Sequence, residues 1–276
     1  MYTLNCKGKL LLIEKPLVMG IVNATPDSFY DQYPQKGLDA IIALADKMAS
    51  EGADILDIGG QSTRPGSERI SAEEEMARVL PVIKILSEKY PDIILSIDTY
   101  HSKVASAAVE AGVSIVNDVS AGNMDKAMLS IVATLQVPYI CMHMKGTPET
   151  MQQNASYKDV VKEVLDFFIQ KIADCTRAGI KDIIIDPGFG FAKTIQHNFI
   201  LLKNLALFEM LDKPLLAGLS RKSTVYKTLN ITADEALNGT TVLNTLAILN
   251  GASVLRVHDV KQAKETIQLL ERYEKG

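Results

Sequence analysis

Eight short apolar runs, each ending on a polar or charged residue, constrain the fold of this chain more than any other feature. The runs lie near residues 17–22, 54–58, 93–97, 113–116, 138–142, 182–186, 214–218 and 253–257. Apolar runs of about four to six residues between turns are typical of strands buried on both faces. In a (β/α)8 TIM barrel all strands end on one face, which holds the active site. The pattern therefore predicts such a barrel, with a ring of functional groups at one mouth.

Amphipathic helices are predicted between these strands. The stripe from Leu38 to Ala49 has helical spacing, and Ser71 is a plausible N-cap of the next helix, in which Pro81 should mark a kink or the true start. A further helix is expected over 157–178. Residues 2–15 read as a hairpin that caps the barrel floor, and no linker divides the chain, so residues 1–276 are expected to form one domain. A doubly wound open sheet is the alternative, but the NATPDSF segment after the first strand is not its Gly-rich fingerprint.

Composition excludes several classes of function. The net charge of −4 gives no general attraction to nucleic acid or to anionic membranes. Cys6, Cys141 and Cys175 form no C-x-x-C pair, which favours reduced thiols over a metal or redox role. The first residues lack a signal peptide's apolar segment, and no run approaches the roughly 18 apolar residues of a membrane span. The expectation is a soluble, cytoplasmic protein.

Two predicted connections at the catalytic mouth are long and lack periodicity. They cover residues 24–37, after the first strand, and 60–70, after the second. Long loops on the catalytic face of a barrel tend to be lids or substrate clamps.

The polar strand ends carry the chemistry. Asp57, Asp98, Asn117 and Asp186 are expected at one mouth, where buried carboxylates need partners. Several of them together predict a ligand rich in hydrogen-bond donors, or a metal. The alternative is that each caps a helix or pins a loop, and for Asp118 the two readings are balanced.

Three further motifs extend this ring. In Asp186-Pro-Gly-Phe-Gly-Phe191, two glycines allow close backbone approach and Phe191 can supply a wall. In the SRKS motif one of two adjacent cations should enter the pocket while the other points away. Arg256 and His258 project the same way from the last strand and suit a diphosphate or a carboxylate. His143 is expected to be a core histidine.

Eight ordered motifs together resemble one family. They are VNATPDSF, DIGGQSTRPG, SIDT, VNDVS, MHMKGTP, DPGFGF, SRKS and RVHDV, and they closely resemble those of dihydropteroate synthases over about residues 19–260. The resemblance implies a barrel that condenses 6-hydroxymethyl-7,8-dihydropterin diphosphate with 4-aminobenzoate. It further implies Mg²⁺ as cofactor, small-molecule substrates as partners, and a homodimer.

The resemblance also implies roles for individual residues. The pterin positions are Asp98, Asn117, Met142, Asp186 and Lys222, and the diphosphate positions are Asn23, Thr63, Arg256 and His258, with Asn23 also the Mg²⁺ ligand. The aminobenzoate positions are Phe29, Thr63, Arg64, Pro65, Phe191, Ser220 and Lys222. The catalytic positions are Asp31, Arg64, Lys222, Arg256 and His258.

The residue chemistry agrees with these roles. The 2-amino group and N3–H of a pterin form a donor pair that one carboxylate can accept, as in an Arg–carboxylate fork. One amide oxygen suits an Mg²⁺ ion that stays mostly hydrated. The expected mechanism is dissociative and depends on stabilising the leaving diphosphate and on positioning both reactants.

The chain departs from the family pattern twice. Gln61 stands where the family commonly has Glu, and the first loop reads YDQYPQKG rather than a Gly-Gly turn. Three rival functions remain: a pterin-binding methyltransferase module, a Schiff-base aldolase using Lys222, and a catalytically dead binding protein. The RVHD and STRP motifs disfavour the first, the polar turn around Lys222 disfavours the second, and the intact motif set disfavours the third.

Overall fold

An antiparallel hairpin begins the chain and covers one end of a barrel. The computed structural model describes residues 1–25, 34–62, 69–147 and 150–276, and for residues 34–36, 152 and 153 it describes the backbone alone. Strands β1 (Tyr2–Cys6) and β2 (Lys9–Ile13) pair from Tyr2 opposite Ile13. Leu4, Cys6 and Ile13 pack in one cluster with apolar residues of the barrel strands, among them Ile115 and Ile184. The hairpin therefore closes the floor of the barrel, as the sequence predicts.

Eight parallel strands follow within the described residues. They are β3 (Leu17–Asn23), β4 (Ile55–Gly59), β5 (Ile94–Asp98), β6 (Ile115–Asp118), β7 (Tyr139–Met142), β8 (Ile183–Asp186), β9 (Leu216–Ala217) and β10 (Val254–Val257). Their spatial order is β8-β7-β6-β5-β4-β3-β10-β9. The ring closes between β8 and β9, where Ile185 bridges Leu215 and its N–H donates to the Pro214 carbonyl over 3.0 Å. The predicted (β/α)8 barrel is confirmed.

Helices cover the outside of this ring. They are α1 (Pro34–Ser50), α2 (Ala72–Lys89), α3 (Ser102–Glu110), α4 (Met128–Leu135), α5 (Val160–Ala178), α6 (Ile195–Lys203), α7 (Ser223–Leu229), α8 (Leu237–Leu249) and α9 (Val260–Lys275). Two 3₁₀ segments, Met151–Asn154 and Leu205–Leu211, lie in connections. One apolar core fills the layer between the strands and the helices. No helix within the described ranges has both the length and the apolar character needed to cross a bilayer.

Local signals explain where the helices begin. Ser71 caps α2 by accepting from the N–H of Glu74, as the sequence predicts, and Pro81 lies inside the helix rather than at its start. Asp159 caps α5 by accepting from the N–H groups of Val161 and Lys162, so this helix starts three residues later than predicted. Capping side chains satisfy N–H groups that have no partner within the helix.

Candidate active site

Strand register brings the polar strand ends together. Asp98, the last residue of β5, is the register partner of Gly59 on β4 and of Asn117 on β6. Asp186, the last residue of β8, lies opposite Met142 on β7. Because parallel strands in register end side by side, these side chains share one mouth of the barrel.

Arg256 on β10 bridges two carboxylates of this mouth. Its Nε donates to Asp57 Oδ2 and its Nη2 to Asp98 Oδ2, each over 2.7 Å. Asn117 Nδ2 donates to the same Asp57 oxygen over 3.0 Å. The two guanidinium contacts have the short distances of charge-assisted bonds. Asp57 therefore anchors a guanidinium and an amide, and the alternative that it caps a helix is wrong.

Two buried carboxylate oxygens of this cluster have no hydrogen-bond donor among the described residues. Burial raises the pKa of Asp98, and the positive charge of Arg256 acts against that shift. Desolvation acts to lower the pKa of Arg256, but the negative charges of Asp57 and Asp98 outweigh this effect and raise that pKa above its ordinary value. Oδ1 of Asp57 and Oδ1 of Asp98 are buried and accept no hydrogen bond from the part of the chain that the structure describes. Since buried acceptors are normally paired, the mouth is suited to a ligand that brings N–H donors.

Asp118 has a structural role. Its carboxylate accepts from the N–H and the hydroxyl of Ser120, from the N–H of Gly122 and from the hydroxyl of Tyr139, each over 2.7 Å. Four donors satisfy both of its oxygens. Of the two readings open from the sequence, the loop-pinning one is confirmed.

The turn after β8 forms one wall of the mouth. Asp186 Oδ1 accepts from the N–H of Gly188 over 2.7 Å. Lys222 Nζ donates to the carbonyl of Phe189 over 2.5 Å and lies 4.8 Å from the centroid of the Phe191 ring. Burial raises the pKa of Asp186, while the charge of Lys222 acts to lower it.

One small cavity lies at this mouth, and of the predicted pterin residues Asp98 is not among those that line it. It is lined by Asn117, Val119, Met142, Asp186, Phe191, Gly218, Lys222 and Arg256, and it encloses only about 10 Å³. That is roughly the space of one water molecule. A bicyclic ligand is larger than this space, and the Lys222 side chain is the flexible group that could move to admit it.

The two cations of the SRKS motif point in different directions. Arg221 leaves the mouth and pairs with Asp259, with Nε–Oδ2 at 2.9 Å and Nη2–Oδ1 at 2.7 Å. Lys222 faces Asp186, and desolvation lowers its pKa to about 8, with Asp186 opposing the shift. Because desolvation lowers the pKa of Lys222, the polar turn is not by itself an argument against a reactive lysine at this position.

Ser220 and His258 lie together at the rim. The Ser220 hydroxyl lies 3.0 Å from His258 Nδ1 and accepts from the His258 N–H over 3.2 Å. Desolvation, and then the charge of Arg256, lowers the pKa of His258 to about 4. The imidazole is therefore neutral near pH 7 in the unliganded protein.

The remaining predicted site residues divide into two groups. Asn23 is exposed at the mouth end of β3, and Met142 is buried at the end of β7. Phe29, Asp31, Thr63, Arg64 and Pro65 lie outside the described residues.

Gln61, where the resemblance leads us to expect Glu, organises the base of the second long loop. Its Oε1 accepts from the N–H of Ile70 over 2.9 Å and from the Tyr100 hydroxyl over 3.3 Å. Its Nε2 donates to the carbonyl of Ser62 over 2.9 Å. An amide can both accept and donate, whereas an ionised Glu only accepts. The donation to Ser62 is thus particular to the glutamine.

Two buried charged residues near the site were not among the residues predicted from the sequence. Lys193 is 4% exposed and lies behind the turn after β8, and Glu75 of α2 is fully buried and accepts from the Thr99 hydroxyl over 2.9 Å. The run DPGFGFAK did hold a clue, since a lysine directly after an apolar turn needs buried acceptors or solvent.

Comparison with known proteins identifies relatives along nearly the whole chain. A family model described as "Pterin binding enzyme" matches residues 19–258. The dihydropteroate synthase of Escherichia coli strain K12 is 40% identical over 267 residues, covering 96% of this chain and 94% of its own length. The solved structure of Xanthomonas albilineans dihydropteroate synthase with 4-aminobenzoic acid has a TM-score of 0.92 and 40% identity, over 99% of this chain and 98% of that one. A second structure of the Xanthomonas albilineans enzyme, in complex with 7,8-dihydropteroate, has a TM-score of 0.89 and 38% identity, over 99% of each chain.

Proposed function

This chain belongs to the pterin-binding enzymes, among the dihydropteroate synthases, and we propose that its barrel mouth joins a dihydropterin diphosphate to 4-aminobenzoate. The reaction would transfer the pterin methylene group to the arylamine, which makes the protein a transferase. One observation supports this proposal above the others. Asn117, Met142, Asp186 and Lys222, which the family motifs assign to the pterin, line a single cavity.

Asp186 would recognise the pterin by its donor edge. Its carboxylate can accept from both the 2-amino group and N3–H, which present two parallel donors like a guanidinium. Asp98 and Asn117 would take other ring nitrogens, and the unpartnered Oδ1 of Asp98 is an acceptor suited to this task. Met142 offers an apolar surface to the ring face.

Binding would require Lys222 to leave its present contacts. Its ammonium now donates to the Phe189 carbonyl and lies near the Phe191 ring, within a cavity of about 10 Å³. A pterin ring that enters would displace it, and its ammonium could then donate to a ring acceptor. The hydrogen bond from Lys222 to the Phe189 carbonyl would thus be replaced by a hydrogen bond from Lys222 to the pterin ring.

Arg256 and His258 would hold the diphosphate, with Asn23 at the same rim for Mg²⁺. Asn23 offers a single amide oxygen at the end of β3, and the described residues contain no cluster of three acidic, His or Cys side chains that could hold a metal. This donor set fits an ion that keeps most of its water and is carried by the diphosphate. When bound, Mg²⁺ would supply positive charge to the leaving group.

Phe191, Ser220 and Lys222 are the described residues that would face the aminobenzoate. The Phe191 ring forms an apolar wall, and the Ser220 hydroxyl and the Lys222 ammonium can donate to a carboxylate. The other residues assigned by resemblance lie outside the described ranges.

The chain's own residues would act by charge and by position. As the C–O bond to diphosphate breaks, its electron pair leaves with the diphosphate, and Arg256 and His258 stabilise the added negative charge. The positive charge that develops on the pterin methylene group lies near Asp98 and Asp186. The arylamine then forms the C–N bond with its lone pair and releases a proton, and the barrel holds the two reactants in line.

We also propose that the enzyme is a homodimer formed through α8. This helix carries no charged residue, and Val242, Leu246 and Leu249 on one side of it are 51%, 42% and 52% exposed. Residues four and three positions apart lie on the same face of a helix, and exposed apolar patches of this kind mark interfaces. Leu246→Lys should give a monomer by light scattering, whereas Leu269→Lys, at an exposed leucine of α9, should leave the dimer intact. A monomeric wild-type protein would contradict this assignment.

We further propose that the protein is located in the cytoplasm. Cys6, Cys141 and Cys175 are all buried and free. Free thiols are typical of a reducing compartment.

Pterin binding is tested most simply with 6-hydroxymethyl-7,8-dihydropterin, which lacks the leaving group and cannot react. Calorimetry should show binding to the wild type and a loss of at least about tenfold, or ~1.4 kcal/mol, in Asp186→Asn, because an amide cannot accept both donors. Asp182→Asn, at a carboxylate that accepts from the Asn5 N–H of the floor hairpin, is the matched control and should bind like the wild type. Equal affinity for the Asp186 variant would refute the assignment.

A further inference from the structure

The buried ammonium of Lys193 lies at the junction of the loops that follow β7 and β8. Lys193 Nζ is 2.9 Å from His143 Nδ1, 3.0 Å from the Gly188 carbonyl oxygen, 3.0 Å from that of Phe191, and 3.3 Å from that of His143. Two of these residues belong to the loop after β8 and one to the loop after β7. An ammonium has three N–H groups, so every one of them finds an acceptor in protein.

The protonation states follow from this geometry. Burial, and then the charges of Lys193 and Lys145, lowers the pKa of His143 to about 2, so its Nδ1 is free to accept. Burial lowers the pKa of Lys193 to about 7, with Asp186 acting in the opposite direction. Carbonyl acceptors favour the charged form, because a neutral amine would leave at least one of them without a donor.

The two loops touch closely at the same place. Gly188 has a φ of +71°, and a Cβ there would lie 2.0 Å from the His143 carbonyl oxygen. Only glycine permits this approach, so the chain passes directly over the loop after β7. The carbonyls of Gly188 and His143 are then both within reach of Lys193.

The segment held in this way carries three contacts of the candidate site. Gly188 N–H donates to Asp186, the Phe189 carbonyl accepts from Lys222, and the Phe191 ring faces the same ammonium. We propose that Lys193 is a positioning residue of the enzyme, whose charge fixes the turn after β8 so that Asp186 and Phe191 face the substrates. This inference rests on the proposed function and extends it to a residue that does not line the substrate cavity.

Lys193 also acts on Asp186 through charge. The groups that face Asp186 are Lys222 from the loop after β9, Arg256 from β10, Lys193, and the like-charged Asp98 from β5. The three cations lower the pKa of Asp186 against the effect of burial. Pterin binding requires the ionised carboxylate, so affinity falls as pH drops through that pKa. Removing the charge of Lys193 raises the pKa of Asp186 and moves this fall to higher pH.

The test is the pH dependence of 6-hydroxymethyl-7,8-dihydropterin affinity, measured by calorimetry from pH 5 to 9. Lys193→Met removes donors and charge and should weaken binding roughly tenfold or more between pH 5 and 7. Lys193→Gln keeps two N–H donors without the charge. Near pH 9 the Gln variant should bind the pterin with close to wild-type affinity. As the pH is lowered, its affinity should fall at a higher pH than that of the wild type. Lys203→Met, at an exposed lysine of α6, is the control and should match the wild type throughout.

The outcomes separate the two claims. If both Lys193 variants bind with wild-type affinity and pH dependence, whatever their thermal stability, the positioning role is refuted. If Lys193→Met does not fold, the Gln variant decides. If neither folds, a crystal structure of the wild type decides, since a Lys193 ammonium turned away from Phe191 and His143 would refute the role. Failure of the wild type to bind the pterin would refute the proposed function instead.

Discussion

Arg256 donates from Nε to the carboxylate of Asp57 over 2.7 Å, although the two residues are 199 positions apart in the chain. Asp57 is fully buried. It lies on β4 and Arg256 lies on β10, the two strands that flank β3 in the barrel. A buried carboxylate that holds one edge of a guanidinium fixes its direction. Asp57 therefore orients the guanidinium of Arg256, the cation that we propose binds the diphosphate.

Asp57→Asn should lower both stability and activity. Weakening a buried bond to a charged group costs about 2 kcal/mol, and a less constrained Arg256 should reduce kcat/KM by at least about tenfold. Urea unfolding and steady-state kinetics measure the two effects. Asp54→Asn, which weakens the partly exposed pair with Lys264 just before β4, is the control. It should cost less than about 1 kcal/mol and leave kcat/KM unchanged, and similar kinetics for both variants would contradict the role of Asp57.

Lys222→Met should weaken pterin binding while Arg221→Met should not. Loss of one bond from a charged donor, about 1.5–3 kcal/mol, corresponds to about 10- to 100-fold in affinity. Arg221 pairs with Asp259 outside the mouth, so its loss should affect stability alone. Calorimetry with 6-hydroxymethyl-7,8-dihydropterin distinguishes the two, and a larger effect from Arg221 would reverse the assignment.

Borohydride treatment in the presence of the pterin diphosphate should leave Lys222 unmodified. Desolvation lowers the pKa of this lysine to about 8, so a substantial fraction is neutral and nucleophilic at pH 8. The proposed reaction has no carbonyl electrophile for that amine, and therefore no Schiff base should form. A reduced adduct on Lys222, detected by mass spectrometry, would restore the aldolase alternative.

Glu75→Gln should change how stability depends on pH. Burial raises the pKa of Glu75 to about 8, and the Thr99 hydroxyl bond only partly offsets this. A carboxyl whose pKa is raised on folding favours the folded state below its unfolded pKa, and that contribution is lost as pH rises toward the folded pKa. Relative to the wild type, the glutamine variant should therefore gain stability between about pH 4.5 and 8, by at most about 5 kcal/mol. Urea unfolding at pH 5 and pH 8.5 tests this, and an equal difference at both pH values would show that Glu75 does not titrate in this range.

The barrel could be predicted from the sequence because its signals are local. Each strand overlaps a predicted apolar run, and polar residues such as Asp98, Asn117 and Asp186 lie at or near the strand ends. Capping signals such as Ser71 are equally local. Convergence of the strand ends then follows from the topology and needs no knowledge of side-chain contacts.

The contacts within the mouth could not be predicted in this way. That Asp57 and Asp98 share Arg256 depends on which side chains meet across the barrel, and no spacing encodes it. The lowered pKa of Lys222 results from desolvation at the barrel mouth, which depends on how the whole mouth packs. Lys193 is surrounded by backbone carbonyls, which every residue has and which leave no pattern in the sequence.

Incubation of the purified protein with 6-hydroxymethyl-7,8-dihydropterin diphosphate, 4-aminobenzoate and Mg²⁺ tests the central claim most directly. Mass spectrometry and a diphosphate assay should detect 7,8-dihydropteroate and diphosphate in equal amounts with the wild type, and far less of both with Asp186→Asn. Diphosphate without dihydropteroate, or neither product from a folded wild-type protein that binds the pterin, would contradict it.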